Sequence, residues 1–131
     1  MESEEIRKRV QARLEEQGAL VRSLLRSRAQ LQGSLFVRYG QCGKEGCACR
    51  QGHKHGPYYV LSTRSAGRGG FAYLAPSQAA QARGLVARHR SFRAGLRRLK
   101  RVNQELVSLL KRYQTATSRQ AGRRLGLAAT P

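Results

Sequence analysis

Leu85, His89, Phe92, Leu96, Leu99, Asn103, Leu106, Leu110 and Tyr113 follow one another at alternating steps of four and three residues, and a chain carrying that repeat has few ways to fold. The repeat predicts a helix over 77–113, opened by Pro76 at a first-turn position where its missing N–H costs nothing. At 1.5 Å per residue such a helix is roughly 55 Å long, more than a domain of this size surrounds, so it must find a partner helix. Residues 3–32 offer one. Ile6, Val10, Leu14, Val21, Leu24 and Leu31 recur at helical spacing, and Ser3 with Glu4 and Glu5 suits a helix start. Gly18 weakens this helix by about 1 kcal/mol without ending it, and Gln17 and Arg28 interrupt its apolar seam. A homodimer through the same seam is the other way to cover the long helix. Asn103 falls at a position where a buried amide fixes register and partner number, and His89 occupies the same class of position as a seam residue rather than a ligand.

Between the helices the periodicity changes from helical to alternating. Gly33 stops the first helix, and Ser34 to Tyr39 alternates with Leu35, Val37 and Tyr39 on one face. A second strand is expected over 57–63, a glycine-rich turn over 64–70, and a third strand over 71–75. The expected core is Leu35, Val37, Val60 and Leu74 with some of Phe36, Tyr58, Tyr59, Phe71 and Tyr73. The fold class is therefore α+β: a long antiparallel two-helix coiled stalk with a small three-stranded antiparallel β head. Residues 1–114 form one domain with the head at 33–75, and residues 115–131, rich in Thr, Ser, Arg, Gly and Ala, form a basic flexible tail.

The head carries the chemistry. All three cysteines and two of the three histidines lie between Cys42 and His55. Thiolate and imidazole are the donors that zinc prefers, and the glycines between them, with Pro57 just beyond, let a short loop return on itself. Cys42, Cys47, Cys49 and His55 are the expected ligands of a Zn²⁺ ion, with His53 in reserve. The spacing is not the paired Cys-x-x-Cys of a zinc ribbon, so free thiols or a transient redox pair stand as the alternative. A disulfide from Cys42 to Cys47 or Cys49 would leave the histidines unexplained.

Cys42, Gly43, Lys44, Cys47 and Cys49, then His55, Gly56, Pro57 and Tyr58, then Tyr73, Leu74 and Pro76 together resemble the motif of a family of short bacterial proteins catalogued as a domain of unknown function. The resemblance covers about residues 36 to 113. It implies a metal-binding module of bacteria and their mobile elements, with members encoded beside transposase-like genes.

Charge narrows the function. The chain has a net charge of +19. Residues 1–16 hold five acidic and four basic side chains, so beyond them Glu45 and Glu105 are the only carboxylates against 22 basic residues. Acid/base pairs and Mg²⁺ sites need clustered carboxylates, so an enzyme is not expected and a small-molecule substrate is not either. No run of 18 apolar residues exists and the chain opens Met-Glu-Ser-Glu-Glu, which predicts no membrane span, no signal peptide and a cytoplasmic location. The expected partner is nucleic acid, RNA slightly favoured over DNA because no Asn or Gln reading residues stand among the arginines. Arg90, Arg93, Arg97 and Arg101, flanked by Arg98 and Lys100, form the expected phosphate-binding ridge, joined by Arg64 and Arg68 on the hairpin turn and by Lys44, Arg50 and Lys54 around the metal loop. Tyr58, Tyr59 and Tyr73 are either core or stacking platforms for bases. The second reading is an assembly subunit whose coiled coil binds a nuclease-like or transposase-like protein.

Overall fold

The structure is a computed structural model, and it describes residues 2–64 and 70–127. Its elements are α1 (Glu2–Leu25), β1 (Ser34–Gly40), β2 (His55–Ser62), β3 (Phe71–Leu74) and α2 (Pro76–Arg124), with one 3₁₀ turn at Ala48–Gln51. The class is α+β, as expected. Two compact units divide the chain: a helical unit of Met1–Arg26 with Arg93–Pro131, and a sheet unit of Ser27–Phe92. No helix among the described residues is long and apolar enough to cross a membrane.

In the helical unit α1 runs antiparallel to the second part of α2. Arg7 meets Tyr113, Arg13 meets Glu105, Gln17 meets Asn103 and Glu16 meets Arg98, so contact positions fall along one helix as they rise along the other. Glu2, Glu4 and Glu5 crowd the first turn of α1, where carboxylates offset the unpaired N–H groups. The deepest side chains are Ile6 at 2 % exposure and Val102 at 0 %, followed by the buried Leu106 and Ala116.

The seam of α2 differs from the expected register. Gly95, Leu99, Val102, Leu106, Leu109, Tyr113 and Ala116 are the covered positions, whereas Leu96, Asn103 and Leu110 are exposed on the flank. Both registers share Leu99, Leu106 and Tyr113, and small residues decide between them. A Cβ on Gly95 would stand 2.7 Å from Leu24 Cδ2, so the helices approach closest where the pattern shows no apolar side chain. Asn103 is accordingly not a buried amide: its Oδ1 accepts from Gln17 Nε2 at 2.7 Å on an exposed edge.

Both helices also end elsewhere than expected. α1 stops at Leu25 instead of continuing to residue 32, because the next segment is drawn onto the start of α2. Leu31 N donates to Leu85 O at 3.1 Å and Arg88 Nη1 to Ala29 O at 3.3 Å. α2 does not stop at Tyr113 but continues to Arg124, which overturns the unstructured tail up to that point. Ala116 is buried there, and the hydroxyls of Thr115 and Thr117 bond back to the carbonyls of Lys111 and Tyr113. Gly126, at φ +70, closes the helix: its N–H reaches Arg123 O and that of Leu127 reaches Gly122 O, the paired bonds of a Schellman cap.

In the sheet unit the strands pair antiparallel in the order β1-β2-β3. The register sets Phe36 opposite Val60 and Val60 opposite Tyr73, Arg38 opposite Tyr58, and Ser62 opposite Phe71. Cross-strand partners share a face, so Phe36, Arg38, Tyr58, Val60, Phe71 and Tyr73 lie on one side and Leu35, Val37, Tyr59, Leu61 and Leu74 on the other. Val60, Leu61, Ala79, Ala82 and Val86 are buried. Val37, expected in the core, is exposed, as are four of the aromatic residues considered for it. Buried Thr63 closes the end of β2, with its hydroxyl on Gln32 O at 2.6 Å.

Candidate metal centre

β1 and β2 bring the two ends of the cysteine loop together. A bulge between Arg38 and Gly40 resets the pairing so that Gly40 lies opposite His55. Gly56 follows at φ +136, and a Cβ there would meet Arg38 O at 2.9 Å and Tyr39 Cδ1 at 2.8 Å, so only glycine lets the strands close beside the histidine. After Cys47 the backbone enters the 3₁₀ turn Ala48–Gln51, tied by Arg50 N to Cys47 O and by His53 N to Ala48 O. That turn aims Cys49 inward, where it is 1 % exposed.

The ligand atoms of Cys42, Cys47, Cys49 and His55 all lie within 4.8 Å of one another. Cys42 Sγ is 3.5 Å from Cys49 Sγ, and Cys47 Sγ is 3.2 Å from His55 Nε2. A tetrahedral zinc with Zn–S near 2.3 Å and Zn–N near 2.0–2.1 Å sets its ligands about 3.5–3.8 Å apart, so the cluster fits such an ion with little adjustment. The donor set is of the closed, four-ligand type found in structural sites. His53 remains outside the cluster, exposed.

Protons are unevenly shared among these thiols. The backbone N–H of Cys49, then the side chains of Cys42, Cys49 and His55, hold the Cys47 thiol down to about 6. The backbone N–H of Cys42, 3.3 Å from Cys49 Sγ, draws Cys49 the same way, but burial and the neighbouring Cys42 and Cys47 outweigh it and push that thiol up. A metal cation among these donors would favour their thiolate forms, which are the ligand forms.

The other expected residues are distributed over the two units. Lys44, Arg50, Lys54, Arg64 and Arg90 are exposed in the sheet unit, and Arg68 lies outside the described residues. In the helical unit Arg93, Arg97, Lys100 and Arg101 are exposed. Arg93, Arg97 and Lys100 line a groove of about 410 Å³ with Leu96, Leu99 and Asn103. Arg98 stands apart from them: its Nε donates to Glu16 Oε1 at 2.8 Å and its Nη2 bonds the same oxygen.

Beside the Cys/His cluster is a cleft of about 460 Å³, lined by Arg38, Tyr58, Tyr73 and the first residue of β2, His55, from the sheet and by Cys42 from the loop. Arg38 lines this cleft, and the cysteine–histidine motif does not reveal it. The signal was its alternation with Phe36 in β1, which places both on the face opposite Leu35.

No curated protein and no solved structure matches the chain significantly. A family model, described as Domain of unknown function (DUF6788), matches residues 3–84, which take in α1 from its second residue, the whole sheet and all four candidate ligands. Since that match spans more than half of the sequence, the chain belongs to the DUF6788 family.

Proposed function

We propose that this chain is a non-enzymatic, zinc-stabilised nucleic-acid-binding protein that holds phosphates through its arginines, RNA in preference to DNA. The observation that carries the reading is how the few carboxylates are used. Glu16 is taken by Arg98 and Arg13, and Glu105 by Arg13. Arg93, Arg97, Lys100 and Arg101 are left exposed with no ion pair among the described residues. A solvated helix face interleaves both signs; a face of unpaired cations is what a polyanion neutralises. The zinc's part is architectural, since four protein donors leave no open position for a water or substrate. The motif's resemblance to modules of bacterial mobile elements supplies the setting in which to look for the ligand.

Titration of a labelled RNA or DNA against salt tests this. The logarithm of the binding constant should fall linearly with the logarithm of salt, by about 0.7 to 0.9 per phosphate contacted. Charge reversal at Arg93 and Arg97 should flatten the slope and weaken all sequences alike, because phosphate contacts do not read bases. Absence of salt-dependent binding to either nucleic acid would sink the reading.

A second reading rests on Leu14, Val21, Leu96 and Leu110, which are 38–51 % exposed on the helical unit. An assembly subunit would use such side chains to hold a helix of another protein. Reversal at Arg93 and Arg97 would then leave the salt slope intact and release the protein partner.

A further inference from the structure

The sheet presents one face whose composition is unusual for a surface. Phe36 is 42 % exposed, Tyr58 44 %, Phe71 58 % and Tyr73 62 %, with only Val60 buried among them. These four rings share a face by the strand register, and they form two edge-to-face pairs: Phe36 with Phe71 and Tyr58 with Tyr73, each at 6.4 Å between centroids. Edge-to-face packing fixes the rings while leaving flat π surface open. Arg38 lies in the same row, and its Nη1 donates to Tyr73 Oη at 2.6 Å. The guanidinium is thereby tied to the end of the aromatic patch, at the wall of the cleft that Cys42 and His55 complete.

Charge decides what covers this face. Glu45 is the sole carboxylate between residues 27 and 92, against exposed Lys44, Arg50 and Lys54 on the loop that rims the cleft. A basic surface, a second copy of this chain included, would be repelled there. A ligand with flat aromatic groups on a negatively charged backbone fits both halves of the surface, and a base accessible to a ring face must be out of its helix. A duplex offers phosphates but keeps its bases stacked on one another.

We propose that Phe36, Tyr58, Phe71 and Tyr73, with Arg38, form a stacking platform for the unpaired bases of a single-stranded nucleic acid, whose phosphates run along the metal loop. This rests on the nucleic-acid reading above and narrows it to unpaired nucleotides. The metal cluster then has a definite task, because it fixes the loop that forms one wall of the base-binding cleft.

The test compares a single-stranded oligonucleotide carrying 2-aminopurine with a duplex of equal phosphate number, using the zinc-loaded full chain. The single strand should bind more tightly and the 2-aminopurine emission should change on binding, as stacking requires. Phe71→Leu with Tyr73→Leu should cut single-strand affinity at least tenfold, as loss of a stacked base does, while duplex affinity, salt slope and zinc content stay unchanged. Phe71→Leu alone, at a ring 58 % exposed, replaces the double variant if that loses zinc: single-strand affinity should still fall severalfold while duplex affinity stays unchanged, and an unchanged single-strand affinity would overturn the platform. Unchanged single-strand affinity in the double variant, or loss of duplex and single-strand binding in parallel with zinc retained, would overturn the platform and assign the aromatic face to a protein or a second copy. A wild-type chain that binds neither nucleic acid would overturn the broader reading as well.

Discussion

The helical unit and the sheet unit solve the same problem by different means. The helical unit spreads its burial over positions repeated along two helices, and polar latches such as Gln17 to Asn103 and Arg7 to Tyr113 sit on its edges. The sheet unit buries few strand side chains, Val60 and Leu61 foremost, with Ala79, Ala82 and Val86 from α2, and gathers four potential metal donors from one short segment. Three short strands are marginal by themselves. One unit should therefore degrade gradually under substitution and the other abruptly.

The largest difference is expected at the ligands. Cys49→Ser removes a donor from a site of a kind whose metal contributes about 10–16 kcal/mol in small zinc peptides. Native mass spectrometry should show loss of one zinc and hydrogen exchange should show loss of protection in 34–62, while α1 and 93–124 stay protected. Equal loss in both units would abolish the contrast. Next comes the helical seam: Leu106→Ala should cost about 2–5 kcal/mol, read as a lowered thermal midpoint with zinc retained.

Smaller effects refine the picture. In the metal-free chain Cys47, held down to about 6, is mostly thiolate at neutral pH, whereas Cys49 is pushed the other way and is buried. Alkylation at pH 7 should therefore mark Cys47 at least about tenfold faster than Cys49, slow as pH falls below 6, and stop at both when zinc is bound. Equal rates at the two thiols would refute that asymmetry. The smallest effect belongs to Asn103→Ala, which loses one exposed hydrogen bond and should cost about 1 kcal/mol or less; a loss as large as that of Leu106→Ala would return Asn103 to a buried seam.

The sequence was most legible where the signal is local. Alternation in 34–39 and the donor types of Cys42, Cys47, Cys49 and His55 need no knowledge of distant residues, and both the sheet and the cluster form as read. The helical register was misplaced because Leu99, Leu106 and Tyr113 satisfy two repeats at once, and Gly95 and Ala116 select between them by being small. Leu31 kept the helical spacing of α1, yet its N–H is bonded to the carbonyl of Leu85, a tertiary contact that local pattern does not encode. The continuation to Arg124 had a sequence mark in Gly126, which lay too far beyond the apolar repeat to be connected with it. Exposure of Phe36, Phe71 and Tyr73 depends on what covers each sheet face, and aromatic residues in strands read the same way on either.

All four ligand side chains come from a single uninterrupted segment between Cys42 and His55. Chain closure across so short a segment carries a small entropy cost, and neither helix has to be in place for the donors to meet. An ion bound by these four donors would be captured early: a chain still emerging from the ribosome would hold the complete donor set once the 3₁₀ turn and the first residues of β2 have been made. Such local contacts form quickly, so with zinc as that ion its supply would act on the order of assembly as well as on the stability of the finished protein.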